Sequence, residues 1–578
     1  MAQPRYDIVI RNGTVLDGFG AEPRAADVAI SDGVIADVGQ VTGSGREEID
    51  AAGCIVTPGF VDVHTHYDGQ ITWENTLQPS SGHGVTTVVM GNCGVGFAPV
   101  KPNQHDMVVK LMEGVEDIPD VVMTAGVPWN WETFPDYLDA LDQRTADIDF
   151  AAQLPHNPLR VYVMGERGSE LEPPTDADLA RMRALTTEAI KAGALGVTTT
   201  RNLAHRFRNG RLVPSITTEE DEILALAAGL RDAGAGVFQI LGDSRRMPAE
   251  QIALLRSIAT TAGRPVSFTL MQSAEHPGGW REILDGLDTA NDDGLTIRGQ
   301  VLARPTGMLF GLGLSLHPFA FHPSFREIEK LPLAEKVSAM RDPEMRRRLL
   351  SESSSDPHPF FKSVVDDIEW LFPLGDPPNY HPAKEESIAG RARALGRAPM
   401  EVIYDELLQQ DGHAILYRPA ANREGDRFES AGEFLIPHEH TILGLGDGGA
   451  HYSMICDAAY PTYFLTHWVS HPDAAKRIPL ADAVRMLARD PAHAVGLDDR
   501  GVIAIGAKAD INVIDMERLS LHAPRPSYDL PAGGRRLTQQ AQGDVATIVS
   551  GQVTYREGVA TGVLPGRLVR GAKPAAAA

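Results

Sequence analysis

Eight apolar segments, at residues 61–64, 86–90, 150–156, 195–200, 236–241, 265–270, 295–303 and 441–445, recur along the chain with helical stretches between them. Apolar strands that alternate with helices such as 176–192, 218–233 and 248–262 are the pattern of a parallel α/β architecture. Eight repeats are the number that closes such a sheet into a (β/α)8 barrel of the TIM type. A chain of 578 residues has room for that barrel and one smaller domain. The smaller one is encoded at both ends. Residues 6–56 read as short strands split by Asn12-Gly13 and Asp32-Gly33, and a similar texture returns in 503–506, 509–514 and 546–553. The expectation is a small β-sandwich domain built from 1–56 plus 503–578, and a barrel over 57–502. Within the barrel, the helix-rich stretch at about 305–440 is expected as an insertion that caps the mouth, and 573–578 as a tail.

Charge and cysteine content narrow the partners. A formal net charge of −24 with no Lys/Arg cluster repels phosphate backbones and anionic headgroups, so neither nucleic acid nor a membrane is expected as a partner. Three cysteines, Cys54, Cys93 and Cys456, exclude a disulfide scaffold and fit a reducing compartment. No apolar run is long enough to span a bilayer, and no leader pattern precedes the first strand, so the expected address is cytoplasmic. Homo-oligomerisation is left open.

The residues with chemistry in them gather where the first barrel strand ends. In Gly59-Phe60-Val61-Asp62-Val63-His64-Thr65-His66, two histidines at i and i+2 share one face of an extended chain, so they can share one ion. A chance His-x-His in a loop is the bland alternative, but catalytic groups of such barrels lie at the C-terminal strand ends, which is where this pair falls. There is no Gly-x-Ser-x-Gly elbow, no phosphate-binding Gly-x-x-x-x-Gly-Lys loop and no His-Glu-x-x-His helix.

The segment 57–68 containing that pair resembles the first-strand signature of the amidohydrolase superfamily. Gly84-Val85-Thr86-Thr87-Val88-Val89-Met90-Gly91-Asn92-Cys93-Gly94-Val95 resembles the second-strand segment of its N-acyl-D-amino-acid deacylase (D-aminoacylase) branch. Ala192-Gly193-Ala194-Leu195-Gly196, Leu445-Gly446-Asp447-Gly448-Gly449-Ala450-His451 and the closing Gly506-Ala507-Lys508-Ala509-Asp510-Ile511 fit the same branch, so the resemblance covers nearly the whole chain. It implies that His64, His66, Cys93 and Asp447 hold a metal, with zinc preferred, and that Asp447 is also the catalytic proton carrier for a water the ion activates. The bland readings are a buried inert thiol for Cys93 and a turn residue for Asp447.

Two departures from the family pattern matter. Strands five and six carry no histidine where relatives have one; Gln239 and Thr269 stand there instead, and strand four ends in Thr198-Thr199-Thr200-Arg201 without a lysine. One zinc ion, without a second, is therefore the simpler expectation. His156, Arg201, His205, Gln239 and His451 are candidates to bind substrate, each against an even chance of a structural role, while Cys456 and Asp457 read as packing groups. The function implied is metal-dependent hydrolysis of a linear amide C–N bond in a small-molecule N-acyl compound, releasing an amino acid or amine. The alternatives are an amidase for N-acyl L-amino acids, aryl amides or small peptides, and a degenerate barrel kept for binding or assembly. A cyclic-amide hydrolase or deaminase would place histidines on strands five and six.

Overall fold

The computed structural model describes residues 5–243, 245–272, 276–355 and 367–571, so the tail expected at 573–578 lies outside the described residues. Each of the eight apolar segments forms a strand: Phe60–Asp62, Val85–Met90, Asp149–Ala152 continued by Leu154–Pro155, Gly196–Thr200, Val237–Leu241, Val266–Thr269, Ile297–Val301 and Thr441–Leu443. The ladders between neighbours are parallel. Strands covered by helices on one side and by the barrel interior on the other have no wet face, which is why Val61, Val63, Val88 and Val89 are all fully buried. The barrel is sealed between the ends of strands eight and one. There the Asp447 amide donates to the His64 carbonyl at 3.1 Å, and the His66 amide to the Gly448 carbonyl at 2.7 Å.

The helices between strands begin and end where local chemistry tells them to. Asp176–Ala192 opens on Thr175, whose hydroxyl accepts from the Asp178 amide while the Asp178 carboxylate accepts from the Thr175 amide, and it stops at Gly193 with φ 115°. Strand register then fixes which side chains share a level: Thr198 lies opposite Gln239, Gln239 opposite Ser267, and Thr269 opposite Gln300.

Strands from both chain ends form one continuous nine-stranded sheet, joined where Ile55–Pro58 runs antiparallel to Ile511–Ile514. Ile10, Val28, Ile30, Val56, Ile511 and Ile548 make its core. Part of the C-terminal segment leaves that sheet for the barrel. The hairpin of Arg525–Leu530 and Gly534–Thr538 lies against it, with the Leu537 amide on the Tyr452 carbonyl at 2.6 Å and Arg536 paired to Glu74 at 3.2 Å. Further on, Gly566 and Leu568 bridge Ala146 and Phe150 beside strand three.

The excursion before strand eight has its own three-stranded sheet (Thr306–Phe310, Phe372–Pro373, Leu416–Ala421) and its own core, which includes Phe310, Phe319, Leu349, Ile403 and Leu407. Ala420 and Ala421 from this sheet line a cavity of 260 Å³ together with Leu241, Phe268, Thr269 and Trp280, so the excursion stands over the ends of strands five and six. Among the described residues, no helix is long and apolar enough to cross a membrane.

Candidate metal centre

His64 and His66 follow the first strand, and each has its Nε2 turned toward one carboxylate oxygen: Asp447 Oδ1 lies 3.4 Å from His64 Nε2 and 3.5 Å from His66 Nε2. Cys93 Sγ is 3.3 Å from His64 Nε2, and the donor atoms of His64, His66 and Cys93 all fall within 4.8 Å of one another. Each ring has a polar group behind it. Gln300 Oε1, an acceptor, sits 2.7 Å from His64 Nδ1, which places the proton on Nδ1 and leaves the Nε2 lone pair facing the cluster. Gln300 is itself oriented by donating its Nε2 to Ser267 Oγ at 3.1 Å. Behind His66 lies Glu116, with Oε1 3.5 Å from Nδ1 but no hydrogen bond between them.

Cys93 and Asp447 reach the cluster through backbone that ordinary residues avoid. Their φ values are +55° and +48°, in the left-handed region that costs a non-glycine residue about 1–3 kcal/mol. Surrounding contacts impose the bend. Gly91, two residues before Cys93, lies so near strand three that a Cβ there would meet the Gln153 carbonyl oxygen at 2.3 Å, and Gly448, after Asp447, has the same relation to Tyr67 and Ser80 at 2.5 Å.

The donor set fits a tetrahedral ion. Zinc bonds of about 2.0–2.1 Å to nitrogen and about 2.3 Å to sulfur put neighbouring donors about 3.3–3.6 Å apart, and the His64–Cys93, His64–Asp447 and His66–Asp447 contacts fall in that range. Charge tells the same story. Burial works against a charged His66, yet Glu116 and Asp447 around it hold its pKa well above the usual value, so a proton occupies a place where negative groups want a cation. Burial likewise opposes a charged Asp447, but the hydrogen bond from His66 and the nearby imidazoles hold its carboxyl below the ordinary carboxylate range. Burial lowers His64 to about 4 and pushes the Cys93 thiol up to about 12.

Of the other sequence candidates, the structure removes one from the site. His156 is fully buried with both ring nitrogens engaged, Nδ1 with Thr199 Oγ1 at 2.8 Å and Nε2 with Glu222 Oε1 at 2.7 Å, and Glu222 is also paired with Arg160. A histidine spent on a buried ion-pair network has no valence left for substrate, so the strand-end position of His156 was misleading. Gln239 is buried with neither amide atom bonded, and Thr269 Oγ1, His205 Nδ1, Arg201 NH1 and His451 Nδ1 also lack partners. Burial lowers His205 to about 3, with further downward push from His451 and His66. Asp457 pairs with buried Arg304, as a packing group would.

Glu116 is a site residue that the sequence did not disclose. It ends the helix His105–Glu116, is 1% exposed, and faces His451 Nε2 at 3.5 Å as well as His66. Its one signal is a carboxylate four residues after Met112 on the stripe that carries Val108, Leu111 and Val115 into the core.

Comparisons with known proteins give the family and the fold. The amidohydrolase family pattern matches residues 47–555. An uncharacterized protein of Mycobacterium tuberculosis is 28% identical over 594 residues, spanning 96% of this chain and 92% of its own length. N-acyl-D-aspartate deacylase of Alcaligenes xylosoxydans xylosoxydans is 32% identical over 295 residues, 50% of this chain and 54% of the deacylase. Among solved structures, a D-aminoacylase described as having a binuclear metal center, with one-metal activation and second-metal attenuation, matches with a TM-score of 0.65 at 22% identity over 98% of this chain and 100% of that one. That likeness carries the fold, a barrel with an attached sheet domain. With the family pattern spanning most of its length, the chain belongs to the amidohydrolase family.

Proposed function

We propose that this protein hydrolyses the linear amide bond of an N-acyl amino acid, with a single zinc ion held by His64, His66, Cys93 and Asp447. The observation that carries the reading is Asp447 Oδ1, poised between two imidazole nitrogens at 3.4 and 3.5 Å at the C-terminal mouth of the barrel. When bound, zinc supplies a Lewis acid for the carbonyl and lowers the pKa of water toward about 7. Asp447 accepts the proton of the attacking water and delivers it to the nitrogen of the departing amine, which cannot leave as an anion. Gln239, in the middle of strand five, and Thr269, at the end of strand six, are unpaired and offer hydrogen bonds to the substrate amide, while Arg201 NH1 is free to pair with a carboxylate. The cavity lined by Leu241, Phe268 and Trp280 suits an acyl chain or an uncharged side chain.

A single ion in the barrel follows from strands five and six. Neutral Gln239 and Thr269 are poor zinc donors beside imidazole, which supports one ion over two. The names of the deacylase relatives point to D-amino acids as the released product. The test is amine release from matched N-acyl D- and L-amino acids and aryl amides, before and after chelation. Hydrolysis of N-acyl D-amino acids, lost on chelation and restored by zinc, is the expected result. No amine release from any member of the panel by zinc-loaded protein would instead favour a barrel kept for binding.

Glu116 should matter through His66. A carboxylate on the far nitrogen of a metal-binding histidine is worth about 10–100-fold in metal affinity, so Glu116→Gln is expected to weaken zinc by that factor in chelator competition. An unchanged zinc dissociation constant in a folded variant would show that Glu116 does not orient His66.

A further inference from the structure

A second set of metal-type donors lies outside the barrel. His381, from the excursion, Glu429, which precedes the short helix Ser430–Phe434, and His467, in the π-helical turn Leu465–Val469 after strand eight, bring one donor atom each within 4.8 Å of one another. His467 Nε2 faces Glu429 Oε1 at 3.3 Å without making a hydrogen bond, and the His381 and His467 rings stack with centroids 4.4 Å apart. The Tyr463 hydroxyl lies against the nitrogen-bearing edge of His381, 3.1 and 3.2 Å from its two nitrogens. A π-turn interrupts a helix at some cost and is found mostly at functional positions.

The carboxylate is oriented as an ion's ligand would be. Lys476 Nζ donates to Glu429 Oε2 at 2.5 Å and is shared with Glu433 at 2.9 Å. His471 Nδ1 accepts from the Asp473 amide at 3.0 Å, so its proton sits on Nε2 and is donated to Glu429 Oε1 at 2.9 Å. These two donors fix Glu429 and leave a lone pair of Oε1 toward His467 and His381. Lys476 with two glutamates leaves one net negative charge beside the two imidazoles. Arg304, whose charge also reaches His381, is neutralised by Asp457.

We propose that His381, Glu429 and His467 form a second site for a divalent transition ion of zinc type, pinning the excursion to the helix that follows strand eight. Two imidazoles and one carboxylate are a zinc-type donor set, with a fourth position for water. The rival arrangement is a purely ionic network in which Lys476 supplies all the positive charge needed; it takes up no ion.

Zinc uptake by the full chain separates the two. After equilibration with zinc and dialysis, the parent should hold two ions, one in the barrel and one here. His467→Ala and Glu429→Gln should each hold one, and so should His64→Ala, which empties the barrel instead. In the His64→Ala background zinc should raise the melting temperature, and adding Glu429→Gln should abolish that rise. The proposal is overturned if the parent binds one ion that His64→Ala removes, or if His467→Ala and Glu429→Gln both match the parent. Because the count at this site is read with the barrel emptied, it stands or falls independently of the amide-hydrolysis reading.

Discussion

Asp447→Asn is expected to lower turnover by at least about 10²–10⁴-fold, the worth of one positioned proton transfer, while the protein keeps its fold and much of its metal. Asparagine has the shape of aspartate and can still accept from the His66 side, but it carries no charge and cannot hold a proton between water and amine. The carboxylate is suited to the task by its surroundings: two imidazole nitrogens at 3.4 and 3.5 Å hold it ionised in spite of burial. Turnover equal to wild type at saturating substrate would dismiss Asp447 as the proton carrier and turn attention to His451 and His205. The control is Asp457→Asn. Asp457 is 2% exposed and pairs with Arg304, so its loss should leave a buried guanidinium unpaired and cost about 3–5 kcal/mol of stability with little change in turnover per folded molecule. Matching turnover losses in both variants would mean that the wrong carboxylate had been chosen.

The barrel was legible because buried parallel strands leave a trace no helix erases: short apolar runs between capped helices, as in Val85–Met90 before the helical span that follows. His64 and His66 were legible because a spacing of two on an extended chain is itself geometry. Cys93 and Asp447 were visible through family resemblance alone, since a left-handed φ at a non-glycine residue has no sequence signature. Glu116 was invisible as a partner because the contact that gives it meaning crosses 50 residues, from a helix end to a strand end. His156 shows the reverse failure. Its position after strand three is that of a catalytic group, and only Glu222, on the helix after strand four, shows that its ring is already engaged. The hairpin at Arg525–Thr538 is a similar case: it falls within the terminal segment assigned to the small β-domain, yet it leaves the terminal sheet to lie on the barrel.

Cys93→Ala is expected to weaken zinc by more than the about 10–100-fold that an outer partner contributes, and also to change how many protons binding releases. Burial pushes the Cys93 thiol up to about 12, so at neutral pH the ion-free protein carries it protonated, and it must lose that proton to become a thiolate donor. His66, held above its usual value by Glu116 and Asp447 against burial, must lose one as well. His64, lowered by burial, is neutral already and releases none. Filling the barrel site should therefore expel two protons in the parent and one in Cys93→Ala, and the affinity of the parent should rise with pH more steeply than that of the variant. The sign is fixed by which form binds: acid refills the thiol and His66 and drives the ion out. Calorimetry in two buffers of different ionisation enthalpy reads the proton count directly, in chains carrying Glu429→Gln so that only the barrel is titrated. A variant that binds zinc within tenfold of the parent and releases the same number of protons would return Cys93 to the class of inert buried thiols, and would leave the ion to His64, His66 and Asp447 alone.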